Sequence, residues 1–271
     1  MIRALTLRQL TARFVVIVPF AALLATVCTP NTEQRQLMPG VSANDPSEVG
    51  KEKSAPAGTG APSLGTAQSF AVLAGSTVTN TGDTTIQGNL GVSPGSAITG
   101  FPPGLVSGEM HAMDDVALQA QADLVIAYDD LAGRPCDRDF SGTDLGDVGT
   151  LTPGVYCFSS SAQLTGTLTL DAQGSSTAVF IFQIGSELTT APSSSVLLTN
   201  GGQDDGVYWQ VGASATLDTT TTFKGSILAL TSISLNTGAN IHCGRALARN
   251  GAVTLDTNDI NIFSAGCVCS P

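Results

Sequence analysis

The sequence predicts a mainly β chain wound into a solenoid, with one long helix lying alongside it. Three observations carry this expectation. The first is a repeat near the C-terminal end. Leu217-Asp218-Thr219 recurs as Leu235-Asn236-Thr237 and again as Leu255-Asp256-Thr257, at spacings of 18 and 20 residues. Between them, Gly225-Ser226-Ile227-Leu228-Ala229 recurs 19 residues later as Gly244-Arg245-Ala246-Leu247-Ala248. A period this short leaves no room for a helix in each repeat and fits one coil of short stacked strands. The second is composition: charged residues make up 12% of the 271, well under the roughly 25% of ordinary globular chains. Gly, Ser, Thr, Ala and Val take their place, which suits extended sheet surfaces. The third is a single segment of helical periodicity inside this β pattern.

Taken in order, the chain opens with Arg3, Arg8 and Arg13 followed by the apolar run Phe14–Val27. A basic start and an apolar stretch this short read as an export signal or anchor over residues 1–28. Leu24-Ala25-Thr26-Val27-Cys28 resembles a lipoprotein site, although Val27 departs from the small residue expected before the cysteine. Ordinary cleavage, lipidation at Cys28 and an uncleaved anchor all stand; each places the protein outside the cytoplasm, secreted or at the cell surface. Residues 29–63, rich in Pro, Ser, Gly and charge, read as a disordered linker.

The folded domain, 64–271, starts with the apolar strand Phe70–Ala74. Ser76–Leu90 then resembles the C-terminal coil, with Asn80-Thr81-Gly82 matching Asn236-Thr237-Gly238. The N-terminal coil is therefore expected to stack with the rest, although an insertion separates them in sequence. The insertion begins at Pro102-Pro103-Gly104 and contains a helix over about 109–132. Met113, Ala117, Ala120, Leu124, Ala127, Tyr128 and Leu131 form its apolar stripe, with Asp114, Asp115, Gln121, Asp129 and Asp130 off it; Gly133 and Pro135 end it. At about 1.5 Å per residue it would extend roughly 35 Å and cover one face of the solenoid. Beyond it, Leu164–Leu170 alternates Leu inward and Thr outward. Val179–Gly185 and Val207–Gly212 match at an offset of 27 and look buried on both sides, as a helix-covered face requires.

Six cysteines stand at 28, 136, 157, 243, 267 and 269. In an oxidising compartment Cys136 can pair with Cys157, and Cys243 with Cys267 or Cys269. His242-Cys243 with Cys267 and Cys269 matches no familiar zinc spacing, so no metal is expected.

The formal net charge is −11, and the basic residues after position 63 are only Arg134, Arg138, Lys224, Arg245 and Arg249. Phosphate backbones need clustered cations, so nucleic acid is excluded as a partner, and a membrane is involved only through the N-terminal anchor. Gly91-Val92-Ser93-Pro94-Gly95 carries the spacing of a nucleophile elbow, but Pro94 lacks the N–H that an oxyanion hole needs there. Asp114-Asp115, Asp129-Asp130 and Asp204-Asp205 read as solvated pairs. Neither a phosphate loop nor a dinucleotide fingerprint is present. No catalytic residue and no cofactor are expected.

What remains is a ladder of short hydroxyls. Thr219-Thr220-Thr221-Thr222, Thr237-Gly238-Ala239-Asn240 and Thr81-Gly82-Asp83-Thr84 share one pattern, and Ser96-Ala97-Ile98-Thr99 is a looser copy. Stacked strands repeat at about 4.7 Å and alternate residues at about 6.7 Å. Hydroxyls and methyls on that grid form a template that can order water in a lattice-like layer. Thr is also a favourable residue on any exposed strand.

Thr222–Ala239 and Gly244–Asp256, with Leu151–Tyr156 and Val179–Ile184, resemble the microbial ice-binding proteins of the DUF3494 type over about residues 64–262. The resemblance implies a right-handed, discontinuous, three-faced β-solenoid with one long helix packed alongside. It implies adsorption to ice through a flat face bearing Thr-Ala/Gly-x-Thr/Asn motifs, limiting ice growth or recrystallisation, by a monomer with no enzymatic activity. Carried over, the ice-contacting residues are Thr81 and Thr84, Thr237 and Asn240, Thr219 and Thr222, with Thr99 and Thr257 in the looser copies. Asp83 places a charge in one motif, and Thr257-Asn258-Asp259-Ile260 lacks the final Thr or Asn. A parity conflict also arises. In a flat strand the first and fourth motif positions point to opposite sides. Either the strand bends at the second residue, or the outward pair in one copy is Thr219 and Thr221. The alternative function is a cell-surface adhesion or polysaccharide-binding module on the same fold, which would need exposed aromatic platforms; the three Tyr and one Trp sit mostly in apolar runs.

Overall fold

The computed structural model describes residues 60–201 and 206–262. The expected export signal, residues 29–59 of the linker, Asp204-Asp205, Cys267 and Cys269 lie outside the described residues. The strands lie in three parallel sheets of nine, seven and eight strands. Each coil contributes one short strand to each sheet. Leu217, Leu235 and Leu255 are stacked partners, and Ile227-Leu228-Ala229 lies on Ala246-Leu247-Ala248, as the repeat predicts.

The stack is discontinuous. Its order runs from Arg138–Asp139 and Gly154–Phe158, through the coils beginning at Phe180, Val207, Ser226 and Ala246, to the N-terminal coil beginning at Phe70. Val72 pairs with Ala246, Thr79 with Thr254 and Ile86 with Ile260. The coil beginning at Asn89 lies beyond, and Met110–Ala112 ends the first sheet. The helix then returns the chain to the opposite end, where the remaining coils are laid down.

Inside the solenoid one column from the first sheet reads Leu90, Val72, Ala246, Ile227, Trp209, Phe182, Tyr156. Phe182 stacks on Trp209 with ring centroids 3.9 Å apart, and the rings continue to Tyr156 on one side and Phe223 on the other. Residues of all three sheets meet in this apolar core.

The helix, Asp115–Ala132, covers the outside of the first sheet. Leu124, Tyr128 and Leu131 pack on Leu73, Val155, Ile181, Tyr208, Leu228 and Leu247. The runs Phe180–Ile184 and Val207–Val211 are therefore buried on both sides, and Gln183 sits opposite Gln210 at the expected offset. Every stripe residue is buried except Met113, which is 66% exposed. The helix is shorter than expected: Met110–Ala112 forms a strand, and Met113 takes a positive φ of 54°. Asp114, in extended conformation, caps the helix by accepting from the Ala117 N–H at 2.8 Å. Eighteen residues give a helix of about 27 Å.

Where the helix ends, its orphan carbonyls need donors. Gln183 Nε2 donates to Leu131 O and Arg134 O at 2.7 and 2.8 Å. Gln210 Nε2 donates to the Tyr128 hydroxyl, which donates to Val211 O. Gln121, expected off the stripe, is buried and donates to Ala248 O. Cys136 is bonded to Cys157, tying the loop after the helix to the same sheet; Cys243 is also in a disulfide. At the start of the domain, the Thr66 N–H donates to Asp123 Oδ2 at 2.6 Å, and Gly60 O, within the span read as linker, accepts from Arg134.

Candidate functional site

With one side of the solenoid closed by the helix, two outer faces remain. The seven-stranded sheet consists of Ala162–Leu164, Leu188–Thr190, Ala215–Leu217, Ile233–Leu235, Val253–Asp256, Thr77–Thr81 and Ala97–Thr99. Alternation points every second side chain outward. The central outward position reads, strand by strand, Gln163, Thr189, Thr216, Ser234, Thr254, Thr79, Thr99. Six consecutive strands therefore present a hydroxyl. At about 4.8 Å per strand the six span roughly 24 Å. No register shift interrupts this sheet, so the row is straight. The row beside it consists of Ser161, Glu187, Ser214, Ser232, Ala252, Thr77 and Ala97, again mostly short side chains.

The eight-stranded face differs. Its outward positions include Thr167, Ser195, Thr222, Asn240, Asp259 and Thr85 in one row and Leu197, Lys224, His242 and Gln87 in the next, where the intervening Asn261 is buried. Leu197 is 47% exposed. Apolar, cationic and acidic groups of different lengths share this surface.

The four-residue motif lies at neither face's centre. It turns the corner between them. Thr220, Gly238 and Thr257, together with Gly82, have positive φ at these corners. A Cβ on Gly82 would stand 2.4 Å from Thr257 Oγ1, so this corner needs glycine. The corner resolves the parity conflict. Thr237 ends one face, and Asn240 begins the other.

Two expected contact residues are corrected by this geometry. Thr221 is fully buried, its hydroxyl 2.8 Å from that of Thr190, so Thr219 and Thr221 are not an outward pair; Thr222 is exposed instead. Thr84 is 1% exposed and accepts from the Asn258 N–H at 3.1 Å. The alignment of Asn80 with Asn236 is one residue out of register: Asn80 pairs with Leu255, which pairs with Leu235. A one-residue slip reverses side-chain direction, and Thr85 is the outward counterpart of Asp259. Thr81, Thr99, Thr237 and Thr257 are exposed, while Thr219 and Asn240 are half-buried. Five ladder hydroxyls, Thr79, Thr189, Thr216, Ser234 and Thr254, were not among the expected residues. The signal lay one position before the recognised repeat, in Thr216-Leu217, Ser234-Leu235 and Thr254-Leu255. Leu164–Leu170, read as one strand, likewise splits at a corner at Gly166.

Other candidates lose their surfaces. Ser93 is 2% exposed. His111 lies on the strand before the helix, not on the helix. Its Nδ1 is 2.8 Å from Asp114 Oδ2, and its ring packs against Phe70. The Ala117 N–H first, and His111 second, hold the Asp114 carboxyl below its ordinary value. All three Tyr and the Trp are buried. Among the described residues no cluster of three His, Cys, Asp or Glu is arranged to hold a metal ion, and no helix is long and apolar enough to cross a membrane.

The fold and its faces define a class: a β-solenoid whose open surface is a regular array of short polar side chains. The chain belongs to the ice-binding-like family, whose model matches residues 72–261. It is 59% identical over 208 residues to an ice-binding protein of Nostoc sp. (strain HG1), covering 77% of this chain and 76% of that one. It is similar in structure to an ice-binding protein from an Antarctic biological consortium, with TM-score 0.71 and 50% identity over 73% of this chain and 90% of the other. The ice-binding protein of the Antarctic ascomycete Antarctomyces psychrotrophicus gives TM-score 0.72 and 41% identity over 76% of this chain and all of that one.

Proposed function

We propose that this protein binds ice by adsorption through the seven-stranded face, and thereby limits ice growth or recrystallisation. The single observation that carries the reading is the straight row Thr189, Thr216, Ser234, Thr254, Thr79, Thr99. Its hydroxyls are held at strand spacing by continuous parallel pairing. Ice binding by relatives at up to 59% identity supports it. The chemistry is physical. Methyl groups of Thr limit how strongly water hydrates each side chain, while hydroxyls at fixed intervals bond to an ordered layer. Together they make a surface to which a lattice can attach. No bond is made or broken, so the reading calls for no catalytic residue. The corner residues Thr81, Thr219, Thr237 and Thr257 border this face. Thr222 and Asn240 look out from the adjoining one. The basic, apolar N-terminus supports an exported location, secreted or cell-surface.

Ice-affinity partitioning of the purified protein tests the reading. The wild type is expected to enter a slowly growing ice hemisphere, and Thr254→Tyr, at mid-ladder, to be left in the liquid with unchanged thermal unfolding. A folded Thr254→Tyr that partitions like the wild type would sink the assignment of this face. Exclusion of the wild type from ice would sink the function.

A further inference from the structure

The hydroxyl face ends, at the corner, on two carboxylates supplied by the repeat itself. Asp256 Oδ2 accepts from Thr237 Oγ1 of the neighbouring coil at 2.5 Å, and its Oδ1 accepts from Thr257 Oγ1 at 3.1 Å. Asp218 Oδ1 accepts from the Thr219 N–H at 2.7 Å and from Asn236 Nδ2 at 3.0 Å. Thr237, Thr257 and Asn236 are all exposed. An ionised carboxylate can only accept, and a hydroxyl has one proton. The protons of Thr237 and Thr257 are therefore both committed to Asp256, and the two hydroxyls offer water only their lone pairs. Thr79, Thr216, Ser234 and Thr254, a few ångströms away on the ladder, have no protein partner for their hydroxyls among the described residues. Each of these can turn to donate or accept.

We propose that Asp256 is a positioning residue that fixes the polarity of the corner. It makes an acceptor-only rim beside the freely turning hydroxyls, so that water of the adsorbed layer must donate along this edge. The inference rests on the ice-binding reading of the same face. An acidic group on such a surface would ordinarily be a defect, because charge hydrates strongly. Here each carboxylate already receives two hydrogen bonds from the protein, and the effect of Asp256 is transmitted through the hydroxyls of Thr237 and Thr257.

Asp256→Asn keeps the shape but replaces one carboxylate oxygen with an NH2, which donates to the Thr oxygen facing it and releases that proton outward, while the amide oxygen still accepts from the other Thr. The expected result is a several-fold loss of thermal hysteresis at equal protein concentration, with unchanged melting temperature; Asp218→Asn should lose less. In a Thr237→Val/Thr257→Val background the two hydroxyls are gone, and Asp256→Asn should then cause no further loss. Ice activity of Asp256→Asn equal to or above wild type overturns the proposal. So does a loss of the same size in the double-Val background, since it would come from the charge alone. If Asp256→Asn does not fold, the double-Val variant is read by itself. A several-fold loss with unchanged melting supports the rim, and none overturns it. A wild type that fails to partition into ice defeats the functional reading beneath. A wild type that partitions, with Asp256→Asn unaffected, defeats only the rim.

Discussion

The two uncovered faces of the solenoid are made by the same coils and the same kind of parallel pairing, yet they carry different chemistry. One shows six hydroxyls in a row. The other mixes Thr and Asn with Leu197, Lys224, His242 and Asp259. Regular backbone alone therefore does not make a template. It offers a grid on every side, and the outward residues of each strand decide whether the grid is filled uniformly. The first sheet sharpens the point, for there the outward residues are Leu, Val, Ile and Tyr, and the chain covers them with its own helix.

The contrast can be broken most severely from within, because both faces share one core. Trp209→Ala removes the centre of the ring stack and should cost about 3–5 kcal/mol, seen as a large fall in the denaturant midpoint and collapse of both faces together. Next in size is a matched pair of surface changes. Thr254→Tyr should abolish most ice partitioning, whereas Thr222→Tyr, on the mixed face, should reduce it far less; neither should shift melting appreciably. Equal losses from the two would show that the faces act as one. Thr84→Val separates burial from contact. It removes the acceptor for the Asn258 N–H and should destabilise by about 1–3 kcal/mol, while the folded fraction still partitions into ice. The smallest effect comes from acid. Hydrogen bonds from Asn236 and then the Thr219 N–H lower the carboxyl pKa of Asp218, and the Ala117 N–H and His111 lower that of Asp114. A lowered folded value means these groups favour the native state above the ordinary carboxylate range near 4. The contribution fades as the pH falls through that range and their lowered values. Asp114→Asn should flatten the acid limb of a melting-temperature profile, and an unchanged limb would remove Asp114 from the account.

Much of this fold was legible from residues alone, because strand stacking copies itself into sequence. Leu217, Leu235 and Leu255 announce a column, and the 27-residue offset of Gln183 and Gln210 announces a second. The helix stripe was equally plain, but its start was not. Met113 fits the periodicity, and only the extended strand Met110–Ala112 and the cap at Asp114 exclude it. The candidate site was harder, since a motif of Thr, small residue, any residue, Thr or Asn carries no sign of where the chain turns. Thr220 and Thr257 occupy left-handed corners without being glycine, so the turn could not be placed by composition. In the N-terminal coil, Asn80 stands where the later coils have Leu, and matching it to Asn236 shifted the register by one.

The adjacency of Thr79 and Thr254 also gives the protein a built-in check on its own completeness. The row of hydroxyls closes only when a strand made early in synthesis meets one made near the end. Long-range parallel pairing of this kind is slow to form, and until it forms the early coils present open strand edges. A chain stopped or cut before Val253 would lose the strand that joins the two halves of the row. The same seam that makes the face continuous thus limits the complete row to chains synthesised past Asp256.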